Sequence, residues 1–131
     1  MKDGTSLTPT DELRAAFGPD PTVTDEGRRR AFRVEIRGAH FVLAHREPMR
    51  ERWVFEPKSI LAGEDRPCYV AVEMEPLGRW VLVTFTPDAC SARERLQYAS
   101  SATSLKNQIG SSKFFPKDVH CSSADDLKAA A

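Results

Sequence analysis

The sequence lacks a net charge: 19 Lys+Arg offset 19 Asp+Glu over 131 residues. No global field therefore draws the protein to nucleic acid or to a membrane surface, and any electrostatic partner must be met by a local patch. Cysteine is scarce and odd in number. Cys68, Cys90 and Cys121 stand far apart, in no CxxC or Cys/His spacing, which argues against a disulfide framework or a zinc site and suits a reducing compartment. A signal-peptide pattern and any apolar run near membrane length are missing too. The expectation is a soluble cytoplasmic protein with no integral membrane segment.

The signatures of catalysis are also absent. His40, His45 and His120 are isolated, with none in a HExxH or HxH arrangement. The chain has neither a Gly-rich phosphate loop nor a GxSxG elbow. The histidines read as surface or strand residues, the cysteines as small apolar ones, and Asp88 as a group that caps or orients a helix start. No enzyme, metal or cofactor is expected. What is present is an ordinary globular balance, 40% apolar and 29% charged, in a chain long enough to bury a core without staples. With no internal repeat and no second domain, residues 1–131 read as a single domain whose core spans about residues 7–127.

Residues 1–9 read as polar and loose. Thr10 then caps a short helix over Asp11–Phe17, with Leu13, Ala16 and Phe17 as its apolar stripe, and Gly18-Pro19-Asp20-Pro21 ends it. Arg28-Arg29-Arg30 reads as a solvated loop leading into Phe32, Val34 and Ile36, which alternate with charge as a half-buried strand does. Gly38 marks a turn, His40–Ala44 the returning strand, and Glu47–Arg52 a charged loop. Trp53–Ala62 is ambiguous, with a short helix after Pro57. A further alternating strand covers Pro67–Glu75, and Pro76-Leu77-Gly78-Arg79 is a tight turn. Trp80–Phe85 is almost wholly apolar, the mark of a strand buried on both faces, so helices are expected on both sides of the sheet.

The long helix is well punctuated. Ser91-Ala92-Arg93-Glu94 is a capping-box pattern, and Gly110 stands where a positive-φ C-cap is wanted. The ~18 residues between make about 27 Å of helix. Tyr98, Ala102, Leu105 and Ile109 form its apolar stripe, with Ser100, Ser101, Ser104, Asn107 and Gln108 on the opposite arc. After it come a Phe114-Phe115-Pro116 loop, a short strand over Asp118–Cys121 and a terminal helix over Ser123–Ala130. One feature breaks the local rules. Arg93 and Arg95 occupy the first turns, where the helix dipole disfavours cations, and Arg95 falls about 20° from Ala102 on the helical wheel. Either these arginines are solvated and snorkelling, or this end of the helix overhangs the sheet and meets a partner.

From Trp80 through Pro87-Asp88, Arg93-Glu94-Arg95, Tyr98-Ala99-Ser100-Ser101 and Leu105-Lys106 to Gly110, the sequence resembles the signature of ADF/cofilin-homology (ADF-H) domains. Asp65-Arg66-Pro67-Cys68-Tyr69-Val70 is more similar to twinfilin than to cofilin. The resemblance implies an α/β (α+β) fold: a central mixed five- or six-stranded sheet sandwiched between helices, of the gelsolin/cofilin-like kind. It implies a monomeric, non-enzymatic domain of the actin cytoskeleton that binds actin monomers, in their ADP form, and slows assembly by sequestering them. By position, Arg93, Arg95, Leu96 and Lys106 match the residues that meet acidic actin surface. A second, filament-side surface would use Arg79, Asp125, Asp126 and Lys128. The turn at Gly78 offers only Arg79 where filament-binding cofilins carry a basic cluster, which favours monomer binding over severing. Twinfilins carry two such domains and a tail; this chain has one, so it reads either as a fragment or as a single-domain relative. A cofilin-like severing factor is the alternative within the family. A phosphoinositide- or scaffold-binding module using Arg28–Arg30 and the helix cations is the alternative outside it. Nucleic acid is not an expected partner.

Overall fold

The structure, a computed structural model, describes residues 7–18, 29–49, 66–75, 79–116 and 119–123. Its strands are β1 (Thr8–Pro9), β2 (Arg29–Arg37), β3 (His40–Met49), β4 (Cys68–Glu75), β5 (Arg79–Phe85) and β6 (Val119–Cys121). They form one sheet in the order β1-β3-β2-β4-β5-β6. The two edge pairings are parallel and the inner ones antiparallel, so the sheet is mixed, as expected. The helices are α1 (Asp11–Ala16) and α2 (Ala92–Ile109), with a 3-10 turn over Ser111–Lys113.

The β2–β3 hairpin follows from its turn chemistry. Arg37 pairs with His40, leaving Gly38 and Ala39 as the two-residue connection. Gly38 has φ of 61°, a value that glycine adopts at little cost and that this class of hairpin turn requires. A register shift at Arg33/Val34 inserts Ala44 as a bulge in β3. Beyond it β3 continues to Met49, so Glu47 is strand rather than the start of a charged loop. The reason is its partner: β2 begins at Arg29 and pairs as far as Arg29↔Met49. Pro48 is tolerated because β1 pairs only with His40 and Phe41, so the rest of β3 behaves as an edge.

Leu7, Thr8 and Pro9 are not loose either. Leu7 is buried, and the amides of Thr8 and Thr10 donate to the carbonyls of Ala39 and Phe41, each at 3.1 Å. Thr10 then caps α1 as its residue type predicts, its hydroxyl accepting from the Leu13 amide at 3.2 Å.

Both faces of the sheet are apolar. On one, Phe17, Phe32, Trp80, Phe41, Tyr69, Leu82 and Phe114 pack with Leu13 of α1 and with Tyr98 and Leu105 of α2. Phe32 stacks on Trp80 at 4.9 Å between centroids, and Phe17 meets Trp80 edge-on at 4.8 Å, geometries that aromatic quadrupoles favour. On the other face Ala31, Cys68, Val70, Val72, Val83, Phe85 and Cys121 form a second cluster. β5 contributes to both, which its near-continuous apolar run predicts. The two described helices lie on the first face. The helix expected after Pro57 and, apart from Ser123, the one expected over Ser123–Ala130 lie outside the described residues.

The charged side of β2 departs from the half-buried reading. Arg33 is 4% and Glu35 7% exposed. Burial of these ions is sustained by pairing: Arg33 Nε donates to Glu35 Oε2 at 2.7 Å. Arg30 is no solvated loop residue. Its Nε and Nη2 donate to the two oxygens of Glu73, each at 3.1 Å, and Nη1 donates to the carbonyls of Ala16 and Gly18, each at 2.9 Å. Its guanidinium also stands 5.1 Å from the Trp80 ring centroid.

Candidate partner-binding surface

β5 delivers the chain to the start of α2 through a short, pinned connection. The Thr86 amide donates to the Cys121 carbonyl at 2.9 Å, and the Cys90 amide to the Pro87 carbonyl at 3.0 Å. Asp88 is exposed in the intervening turn and leaves the capping to Ser91. There the capping box is complete: the Glu94 amide donates to Ser91 Oγ at 3.1 Å, and the Ser91 amide donates to Glu94 Oε1 at 3.2 Å.

Every residue from Ser91 to Gln97 is exposed, and the first buried residue of the helix is Tyr98. Tyr98 fixes the helix to the sheet end. Its hydroxyl accepts from the Ile36 amide at 2.8 Å, beyond the last β2–β4 pair, Val34↔Tyr69. Its carbonyl accepts from the Tyr69 hydroxyl. Burial pushes the pKa of both tyrosines up, so both stay neutral donors and acceptors. At the other end Phe114 bridges Trp80, so α2 runs from the Phe85 end of β5 back to its start. Its first six residues, about 9 Å of helix, overhang the sheet.

That overhang carries Arg93, Arg95 and Leu96. Leu96 is 70% exposed, the one exposed large hydrophobic among the described residues. Arg93 is exposed. Arg95 is exposed also, and its Nη2 reaches the Pro87 carbonyl at 3.4 Å. Among the described residues neither arginine has a carboxylate partner, and Glu94 is engaged by the cap. Two cations at a helix N-terminus, beside an exposed leucine, are poorly explained by stability.

Lys106 is half-buried on the same helix and holds contacts of its own. It lies 11 residues past Arg95, about 16 Å along the axis, so the structure does not bring it into the overhang. Arg79 opens β5 at the opposite end of that strand, with its guanidinium 4.1 Å from the Phe115 ring centroid. Asp125, Asp126 and Lys128 lie outside the described residues. His40, His45 and His120 are exposed strand residues, and Cys68, Cys90 and Cys121 are buried thiols. Burial raises the Cys68 pKa to about 12, so it is no thiolate nucleophile. No group of three His, Cys, Asp or Glu among the described residues could hold a metal. No described helix is long and apolar enough to cross a membrane.

Sequence reasoning missed how the other end of α2 is fastened. Gln108 Nε2 donates to the Leu7 carbonyl at 2.6 Å and to Ser104 Oγ at 3.0 Å. Arg14 Nη1 donates to the Gln108 carbonyl at 3.0 Å, placing a cation where the helix dipole favours one. The bonds to Leu7 and from Arg14 span 101 and 94 residues, and no local pattern signals them.

Residues 58–131 match the model of the cofilin/tropomyosin-type actin-binding protein family, and the chain belongs to that family, one of actin-binding proteins rather than enzymes. Among its relatives are twinfilins. The chain is 26% identical to twinfilin of Drosophila melanogaster over 96% of its own length and 37% of that protein. It is 34% identical to twinfilin-1 of Saccharomyces cerevisiae over 56% of its own length and 22% of that protein. It thus spans little more than a third of the curated relatives it matches. Among solved structures, Eh twinfilin superposes with a TM-score of 0.72 at 19% identity, covering 91% of this chain and 89% of that one. The ADF of Toxoplasma gondii gives 0.67 at 13% identity, covering 95% and 97%. The mixed six-stranded sheet with its helices is therefore the ADF-H fold.

Proposed function

We propose that this chain is an actin-binding module of the cytoplasm that binds actin monomers through the overhanging start of α2 and slows filament assembly by sequestering them. Arg93 and Arg95 supply charge for an acidic partner surface, and Leu96 supplies apolar area. Lys106 extends the contact along the helix. The observation that carries this reading is the run of exposed residues from Ser91 to Gln97 on a helix that Tyr98 locks to the sheet. A rigidly held, solvated helix end with an unburied leucine is suited to a docking role, since little ordering cost remains at binding. Twinfilin relatives over 96% of the chain support an actin partner.

Titrating the domain into a spontaneous actin-assembly assay tests it. Sequestering predicts a longer lag and a lower plateau in proportion to the domain added, with the domain staying in the supernatant when filaments are pelleted. Co-sedimentation with filaments and accelerated disassembly would replace it by the severing alternative. Arg93→Ala with Arg95→Ala is expected to weaken monomer binding by one to several kcal/mol, on the order of hot-spot losses. Unchanged affinity in that double variant would remove both residues from the surface.

A further inference from the structure

Glu35 sits on the sheet face opposite α2, since Phe32, Val34 and Ile36 face the helix side and successive strand residues alternate. Three guanidiniums converge on its carboxylate. Buried Arg33 takes Oε2 at 2.7 Å, while Arg37 and Arg66 reach Oε1 at 3.0 and 3.6 Å. One negative charge is already met by Arg33, so Arg37 and Arg66 are surplus cations. Their side chains are 61% and 64% exposed, yet Glu35 tethers both in place. One carboxylate cannot neutralise three guanidiniums, so positive charge is left at the surface.

The location of these arginines gives the surplus a use. Phe85 at the end of β5 pairs with Cys68, the first residue of β4, and Arg66 lies two residues before it. β2 runs past its last β4 pair at Val34↔Tyr69 to Arg37 at the same end. The α2 overhang projects from this end too, because Tyr98 is bonded to Ile36. Arg37, Arg66, Arg93 and Arg95 are thus exposed at one end of the sheet, where Asp88 and Glu94 are the exposed carboxylates among the described residues of the α2 start. In a chain of zero net charge, this makes a local basic pole among the described residues.

We infer that Arg37 and Arg66 are a steering pair: held on Glu35, they extend the cationic pole of the α2 overhang and orient an acidic partner surface toward it. The inference rests on the actin reading of that overhang. Charges outside a buried contact act mainly on the association rate and its salt dependence. The pair accordingly sets how fast the partner arrives and leaves the lifetime of the complex alone.

Stopped-flow association with fluorescently labelled actin monomers tests this, comparing the parent with R37Q/R66Q at low and physiological ionic strength. At low salt the association rate is expected to fall about three- to tenfold, with a flatter salt dependence and a dissociation rate within about twofold of the parent. R37K/R66K should retain the parent rate. Arg66→Glu alone, which leaves the Arg33–Glu35–Arg37 contacts in place, should slow association in the same direction and covers the case of a poorly folding double variant. An unchanged association rate in R37Q/R66Q, with Arg93→Ala still weakening binding, overturns the steering pair and leaves the actin reading intact. A change confined to the dissociation rate also overturns it. Absence of actin binding by the parent overturns both together.

Discussion

Arg30 does more for the fold than its place in a basic triplet indicates. It neutralises Glu73, whose side chain is 3% exposed, supplies donors to two carbonyls at the end of α1, and lies against Phe32 and Trp80. Removing one partner of a buried ion pair leaves the other charge uncompensated. Arg30→Ala is therefore expected to destabilise the protein by about 3–5 kcal/mol. Adding Glu73→Ala should recover part of that loss, and urea denaturation of the two singles and the double measures the coupling. Independent, additive losses would show that the pair is not a unit.

Glu35 makes a separate prediction through pH. Burial pushes its pKa up, but the hydrogen bonds and charges of Arg33 and Arg37 outweigh burial and hold it below the usual carboxylate value. The folded-state pKa thus lies below the unfolded one, so the native state binds this proton less readily than the unfolded chain. The resulting stability is fully present above the ordinary glutamate pKa of about 4.3 and is lost as pH falls through the lowered folded value. Glu35→Gln is expected to lower the urea midpoint at neutral pH, where it leaves Arg33 buried without its carboxylate. The difference from the parent should shrink as the parent's Glu35 becomes protonated in acid. A difference constant with pH would contradict the assigned shift.

At the scale of elements, what was legible in the sequence is what is decided locally. Ser91 and Glu94 are three residues apart and form the capping box that their spacing predicts. Gly110 follows the last helical residue and adopts φ of 135°. Tyr98, Ala102, Leu105 and Ile109 turn inward as their steps of four, three and four require. The overhang was legible only as an anomaly, two arginines in the wrong part of a helix dipole. What escaped was decided across the chain. Arg30 finds Glu73 at a separation of 43 residues, and Arg33 and Glu35 are buried because they pair with each other on a face that alternation marks as solvent. Leu7–Pro9 is ordered by Ala39, Phe41 and Gln108 rather than by its own composition. The cap yields a test at this scale. Ser91→Ala removes the hydroxyl half of the box, leaving the backbone amide at that position to donate to Glu94, and is expected to cost about 1 kcal/mol. Amide hydrogen exchange should show the loss concentrated in residues 92–97, since Tyr98 still anchors the helix to β2. Uniform loss of protection along α2 would mean that the overhang has no stability of its own to lose.

For the whole molecule, the layout separates what holds it together from what it offers to a partner. The two leucines of α2 show the division. Leu105 is fully buried against the sheet, while Leu96, nine residues earlier on the same helix, is 70% exposed. Leu105→Ala should lose about 2–5 kcal/mol of stability, as buried leucine truncations do. Leu96→Ala touches no core and replaces a good helix former with a better one, so its effect on stability should stay within about 0.5 kcal/mol. Binding should reverse the order. If the overhang inserts into a partner, Leu96 becomes the residue that passes from water to a desolvated interface, and its truncation should weaken the complex by about 1–3 kcal/mol. Thermal unfolding and actin-monomer affinity, measured on both variants under conditions where each is folded, decide the matter. A Leu96 variant that binds as the parent does would leave its exposure unexplained and move the docking surface elsewhere. A variant of unchanged stability and reduced affinity would establish that the helix extends past the sheet for the sake of the partner.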